Sequence, residues 1–180
     1  MIKFKTMFFM RLKNCLPIVF LGILISCGNP EKVLYEELTP GEFSERISKC
    51  PVAYLPLGTL EWHGEHLPLG SDGIQSQEFF KRLAKKAGGI VLPMLFLGPA
   101  GRETTINGIE LYGMDMGNYV KGEKFQYSPQ KLPGSAYRVS DSTFADILNN
   151  IMKQLSRAGF KMVIAHGHGP STNYLGKMIP

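Results

Sequence analysis

At 180 residues, with 44% hydrophobic and 19% charged side chains, the chain suffices for one domain with a sizeable core and is neither disordered nor fibrous. Its formal charge of +5 belongs to the N-terminus: Lys3, Lys5, Arg11 and Lys13 precede an apolar run, and without them sixteen basic residues face fifteen acidic ones. That near balance leaves no nucleic-acid footprint.

The N-terminus reads as a leader. A cationic start is followed by Leu16 to Ile25, an apolar run too short to span a bilayer comfortably, which ends in Leu24-Ile25-Ser26-Cys27. This ending resembles a bacterial lipobox. On that reading residues 1–27 are a lipoprotein signal peptide with Cys27 as the lipidated residue, residues 28–38 are a polar tether, and residues 39–180 are the domain. The alternative is a secretory signal or short anchor in which Cys27 is incidental. With no Asp after Cys27, the expected location is the bacterial cell envelope, lipid-anchored on the periplasmic side of the outer rather than the inner membrane. Cys15 lies in the leader and Cys50 has no partner, so no disulfide framework exists, and Cys50 reads as a small buried hydrophobe.

Thr39-Pro40-Gly41-Glu42 has the form of a helix start, with Thr39 as N-cap and Pro40 at the first helical position, and the helix runs to about Lys49 with Phe43 and Ile47 on one face. Val52 to Leu57 is a short apolar run that reads as a buried strand, ended by Gly58. Directly after it come Glu61, Trp62, His63, Gly64, Glu65 and His66, then Leu67-Pro68-Leu69-Gly70 leading to Asp72. If the backbone is extended there, Glu61 and His63 leave on one side and can converge, and Asp72 can be carried back towards them. Two carboxylates and an imidazole make a site suited to zinc, manganese or iron rather than to thiolate-loving metals. The plainer alternative is a solvated loop whose histidines cap turns.

Farther on, Ile74 to Ala87 has a helical pattern with Ile74, Leu83, Ala84 and Ala87 as its buried stripe, and Gly88-Gly89 stops it. Ile90 to Leu97 reads as a second strand with Pro93 in its middle. Residues 102–133 are an insertion rich in glycine and aromatics: a loop over the site, an oligomer contact or a pair of short hairpins. Ser140 or Ser142 caps the clearest amphipathic helix, with Phe144, Ile147, Leu148, Ile151, Met152 and Leu155 at three- and four-residue steps, stopped by Gly159. Phe160 to Ala165 reads as a buried strand leading into His166-Gly167-His168-Gly169. Strands alternating with helices predict an α/β fold with a mostly parallel sheet, whose strand ends bring His168 to the edge that carries Glu61 and His63.

The run Glu61-Trp62-His63-Gly64-Glu65-His66-Leu67-Pro68 with Asp72 behind it, and Ala158-Gly159-Phe160 leading through a strand to His166-Gly167-His168-Gly169, resemble the creatininase (creatinine amidohydrolase) family over roughly residues 35 to 175. The resemblance implies a three-layer α/β/α sandwich and up to two divalent ions, zinc first and manganese or iron as alternatives. It gives Glu61 and His168 to one ion, His63 to the other and Asp72 to both. His66 and His166 would support the site from behind or stabilise turns. Where creatininase itself has a glutamate that completes the second ion's shell, this chain has Pro170. A phosphate cradle at Gly167 to Gly169 is disfavoured because no helix start with Lys and Ser/Thr is visible after it.

The function implied is metal-dependent hydrolysis of a C–N bond, typically in a cyclic amide, by metal-activated water; the alternative is a non-catalytic, lipid-anchored metal-binding or scaffold protein that keeps the fold. The expected partners are a small-molecule substrate, the membrane and further copies of the chain. The family continues past the point matching Pro180, so these residues are expected to lack a C-terminal part, to bind at most one ion well, and to expose a sheet edge and one face of the Phe144 to Leu155 helix.

Overall fold

The computed structural model describes residues 31–63, 66–101, 103–106, 108–112 and 136–178. Three parallel strands form its sheet in the order β2-β1-β5: β1 (Val52–Leu57) is central, β2 (Ile90–Val91) lies on one side and β5 (Met162–Gly167) on the other. β5 pairs with β1 along its whole length, from Val52 opposite Met162 to Leu57 opposite Gly167.

Both faces of β1 are covered, which is why its sequence is a continuous apolar run. Ala53, Leu55 and Leu57 share a core with Phe144, Leu148 and Leu155 of α3 (Asp141–Arg157). On the opposite face Tyr54 packs with Phe80 and Ala84 of α2 (Ser71–Ala87) and Val91. Helices α1 (Pro40–Lys49) and α4 (Gly169–Met178) join the α3 side through Phe43, Ile47, Tyr174 and Leu175, which completes the α/β/α sandwich. Fully burying such side chains contributes roughly 1.5–3 kcal/mol each.

The local signals for α1 and α3 act as expected. Thr39 and Glu42 form a reciprocal capping box, and Ser140 accepts from the Thr143 N–H at 3.2 Å. Elsewhere the structure corrects the sequence reading. The tether is not free over residues 31–38: Val33 is buried, its carbonyl accepts from the Val91 N–H at 2.8 Å, and Leu34 bridges to Val91. This segment covers the outer edge of β2. The second strand stops at Val91, because Pro93 has no N–H for the ladder, and the chain rejoins β1 only at the Leu57–Leu95 bridge.

Helix α2 begins at Ser71, three residues early, and buries Gly73, Ser76, Phe80 and Ala84, while Ile74 is 49% exposed. The early start reflects close packing: a Cβ on Gly58 would lie 2.8 Å from Gly73 Cα, an approach that two glycines permit. β5 starts two residues late. Phe160 instead enters an aromatic group with Tyr35 and Phe43, and β5 keeps one face open, with Met162 56% and Ile164 38% exposed. The α3 face expected to lie open is closed, since Phe144, Leu148 and Leu155 are buried. Cys50 is half-buried rather than buried.

The insertion opens with the hairpin β3 (Glu103–Ile106) and β4 (Ile109–Tyr112), antiparallel with Ile106 opposite Ile109. Residues 113–133 of it, the leader and Cys27 lie outside the described residues.

Candidate metal centre

From β1 the chain runs through α2 to β2 on one side, and later through α3 to β5 on the other, so the order of the sheet reverses at the ends of β1 and β5. Such a switch point opens a crevice at the carboxyl ends of the strands. Every residue of the predicted ligand set is delivered there. Gly58 donates to the Leu95 carbonyl at 2.9 Å, and the Glu61 N–H donates to Leu69 at 3.0 Å, which folds the loop back on itself. Ala136 donates to Leu60 at 3.2 Å and holds the loop from its other side.

Asp72 arrives on the first turn of α2, not on a flexible loop segment, and a carboxylate is favoured at that helix end. His168 follows β5 immediately; its N–H donates to the Leu57 carbonyl at 3.1 Å, and its own carbonyl accepts from Thr172 N–H at 3.0 Å as α4 begins. A helix does start after the His-Gly loop, with Pro170 in its first turn and no lysine there of the kind a phosphate cradle uses.

The four side chains converge. His63 Nε2 lies 3.3 Å from Glu61 Oε1 and 3.9 Å from Asp72 Oδ1, and His168 Nε2 lies 3.6 Å from the same Glu61 oxygen. Glu61, His63 and Asp72 each offer a ligand atom within 4.8 Å of the others. Glu61 is the hub and is only 5% exposed. Two carboxylates so close, one of them buried, call for a compensating positive charge, and imidazoles at their side complete a donor set that fits a divalent ion such as zinc or manganese. Burial holds the pKa of His168 below its usual value, against the pull of Asp72 upward, with His63 adding to the lowering. A neutral imidazole is the form that ligates.

The other two histidines stand apart. His66 is exposed in a turn. His166 is on β5 and packs its ring against Phe79 and Phe80 at centroid distances of 5.3 and 6.1 Å, a surface contact and not a support for the site. Sequence reasoning missed Ser171, whose buried Oγ lies 3.1 Å from His168 Nδ1. The available signal was a serine three residues after a histidine that opens a helix.

A family model, creatininase (creatinine amidohydrolase), matches residues 36–114. The chain is 24% identical over 148 residues to a creatinine amidohydrolase of Pseudomonas putida, covering 81% of this chain and 48% of the relative. It is 23% identical over 141 residues to the 3-dehydro-scyllo-inosose hydrolase of Thermotoga maritima, covering 78% and 37%. A solved creatininase in a manganese form superposes with a TM-score of 0.62 at 24% identity, over 83% of this chain and 50% of that one. The chain thus spans half or less of the length of these relatives. The matched segment carries β1, the Glu61 to Asp72 loop and α2, so the part of the chain that bears the predicted ligands is the part that is similar to the creatininase family, and the fold is shared with solved creatininases.

Proposed function

We propose that the chain is a metal-dependent hydrolase of the amidohydrolase kind, acting on a C–N bond of a cyclic amide-like small molecule. The observation that carries this reading is the meeting of Glu61, His63, Asp72 and His168 from three separate segments at the switch point of the sheet. Solved creatininases in manganese and zinc–zinc forms support the choice of ion, and the relative named creatinine amidohydrolase supports the choice of substrate class.

In this reading Glu61 and His168 hold one ion, His63 stands on the side of a second, and Asp72 faces both. A divalent ion bound there supplies Lewis acidity, polarising a carbonyl and lowering the pKa of water to about 7. The chain's own groups do the rest. Glu61 is held by the Leu69 carbonyl through its backbone and keeps negative charge in a dry place, where its pull on a cation is strongest. His63 and Asp72, half-buried, line the side open to solvent through which a substrate enters. Pro170 supplies no ligand for a second ion, so about one ion per chain is expected. The same residue favours the second reading, a non-catalytic metal-binding protein that keeps the fold.

The test is hydrolysis of a panel of cyclic amides, creatinine included, by chelator-stripped protein with zinc or manganese added back. Metal-dependent turnover that Glu61→Gln abolishes supports the enzyme. Tight metal binding with no turnover of any member of the panel favours the non-catalytic reading.

A further inference from the structure

Ser171 is a fully buried hydroxyl in the first turn of α4, with its Oγ 3.1 Å from His168 Nδ1. Its place is made by Gly98, where a Cβ would collide with that Oγ, and Phe144 lies behind the same spot. The backbone of His168 is pinned without it: the N–H donates to Leu57, and the carbonyl accepts from the Thr172 N–H and, at 3.2 Å, from the Thr172 hydroxyl. What the backbone leaves open is the rotation of the ring and the nitrogen that carries its proton. The Ser171 hydroxyl is placed to set both.

We infer that Ser171 is a positioning residue for the metal centre: its hydroxyl accepts the Nδ1–H of His168, fixing the tautomer whose Nε2 lone pair points towards Glu61. This rests on the metal-centre reading above. A neutral imidazole carries one ring proton, so a partner that accepts at Nδ1 leaves Nε2 free to ligate. With the hydroxyl rotated to donate instead, the proton sits on Nε2 and faces the Glu61 oxygen 3.6 Å away, a form closed to metal. A hydroxyl serves either state, and an arriving ion selects the first. Without Ser171 the Nδ1–H would be buried unpaired whenever metal is held, and the cost would fall on metal affinity.

The experiment is cobalt(II) titration, followed by visible absorption, of the chelator-stripped 180-residue chain as wild type, Ser171→Ala, His168→Ala and the double variant. Ser171→Ala should weaken cobalt binding by about 10–100-fold. In the His168→Ala background the same change should alter affinity by less than about two-fold, because its only route to the ion is gone. Nitrogen-15 spectra of the zinc-loaded chain should show a slowly exchanging Nδ1 proton on His168 in wild type and a fast one in Ser171→Ala. Equal losses in both backgrounds would reveal a merely structural serine and overturn the inference, as would unchanged affinity in Ser171→Ala. Absence of cobalt binding by wild type would instead sink the metal-centre reading, and the inference with it.

Discussion

Gly167 adopts φ 131°, and a Cβ there would run into the carbonyl oxygen of Leu57, so glycine alone lets β5 close against β1 at the strand ends. The same torsion breaks the period-two alternation. In an unbroken strand His166 and His168 would share a face; instead His166 goes to Phe79 and Phe80 on the α2 side, and His168 turns towards Ser171 and Glu61 in the crevice. Gly167→Ala should therefore cost about 2 kcal/mol or more in urea unfolding and weaken metal binding together. A variant as stable as wild type would show that the close approach is not needed. Glu61 and His63 were legible as a pair because two-residue spacing and residue type both point to ligands. Ser171 was not, since its one signal, a serine three residues after a histidine, carries weight only once a helix is known to start there.

Among the elements, the capped helix α1 was readable to the residue, α3 to a choice between Ser140 and Ser142 as its cap, and the site-bearing helix was not. The Thr39 and Ser140 hydroxyls mark α1 and α3 in the sequence itself. Helix α2 has Gly70 at its N-cap and no side-chain cap, and its buried stripe begins with Gly73 and Ser76, which periodicity of apolar residues passes over. That misreading left Asp72 in a loop. β2 was read too long for a related reason: Leu92 to Leu97 are apolar because they pack, while Pro93 denies them a ladder.

The α1 cap also titrates. The Thr39 N–H, then Lys32 and the Thr39 hydroxyl, hold the Glu42 carboxyl at about 2, below the usual carboxylate range. A carboxyl whose pKa is depressed by folding binds fewer protons in the folded chain, so its contribution is complete above about pH 4.5 and is lost as pH falls towards 2. Glu42→Gln should flatten that part of the acid limb of a stability profile. An acid limb identical to wild type would show that the capping box carries no such coupling.

At the scale of the molecule, one strand organises everything: β1 is buried on both faces, paired on both edges, and ends in the loop with two of the four ligands. The α/β class and the side of the sheet that bears the site were legible because helices and parallel strands alternate in the sequence. The packing of residues 31–38 was not, because Val33, the one residue buried there, stands in a segment with no helix or strand period to announce it. Among the described residues no helix is long and apolar enough to cross a membrane. From the Leu24-Ile25-Ser26-Cys27 run we propose attachment through Cys27, on the periplasmic side of the envelope. Fatty-acid labelling should mark the wild type and spare Cys27→Ser; equal labelling of both would remove that proposal. The central claim, that Glu61, Asp72 and the imidazoles beside them form a centre for a divalent ion, is tested most directly by zinc content after reconstitution and dialysis. The wild type should keep about one ion per chain, Glu61→Gln and Asp72→Ala should each lose most of it, and His66→Ala should keep it; wild-type zinc content in Glu61→Gln and Asp72→Ala would contradict the account.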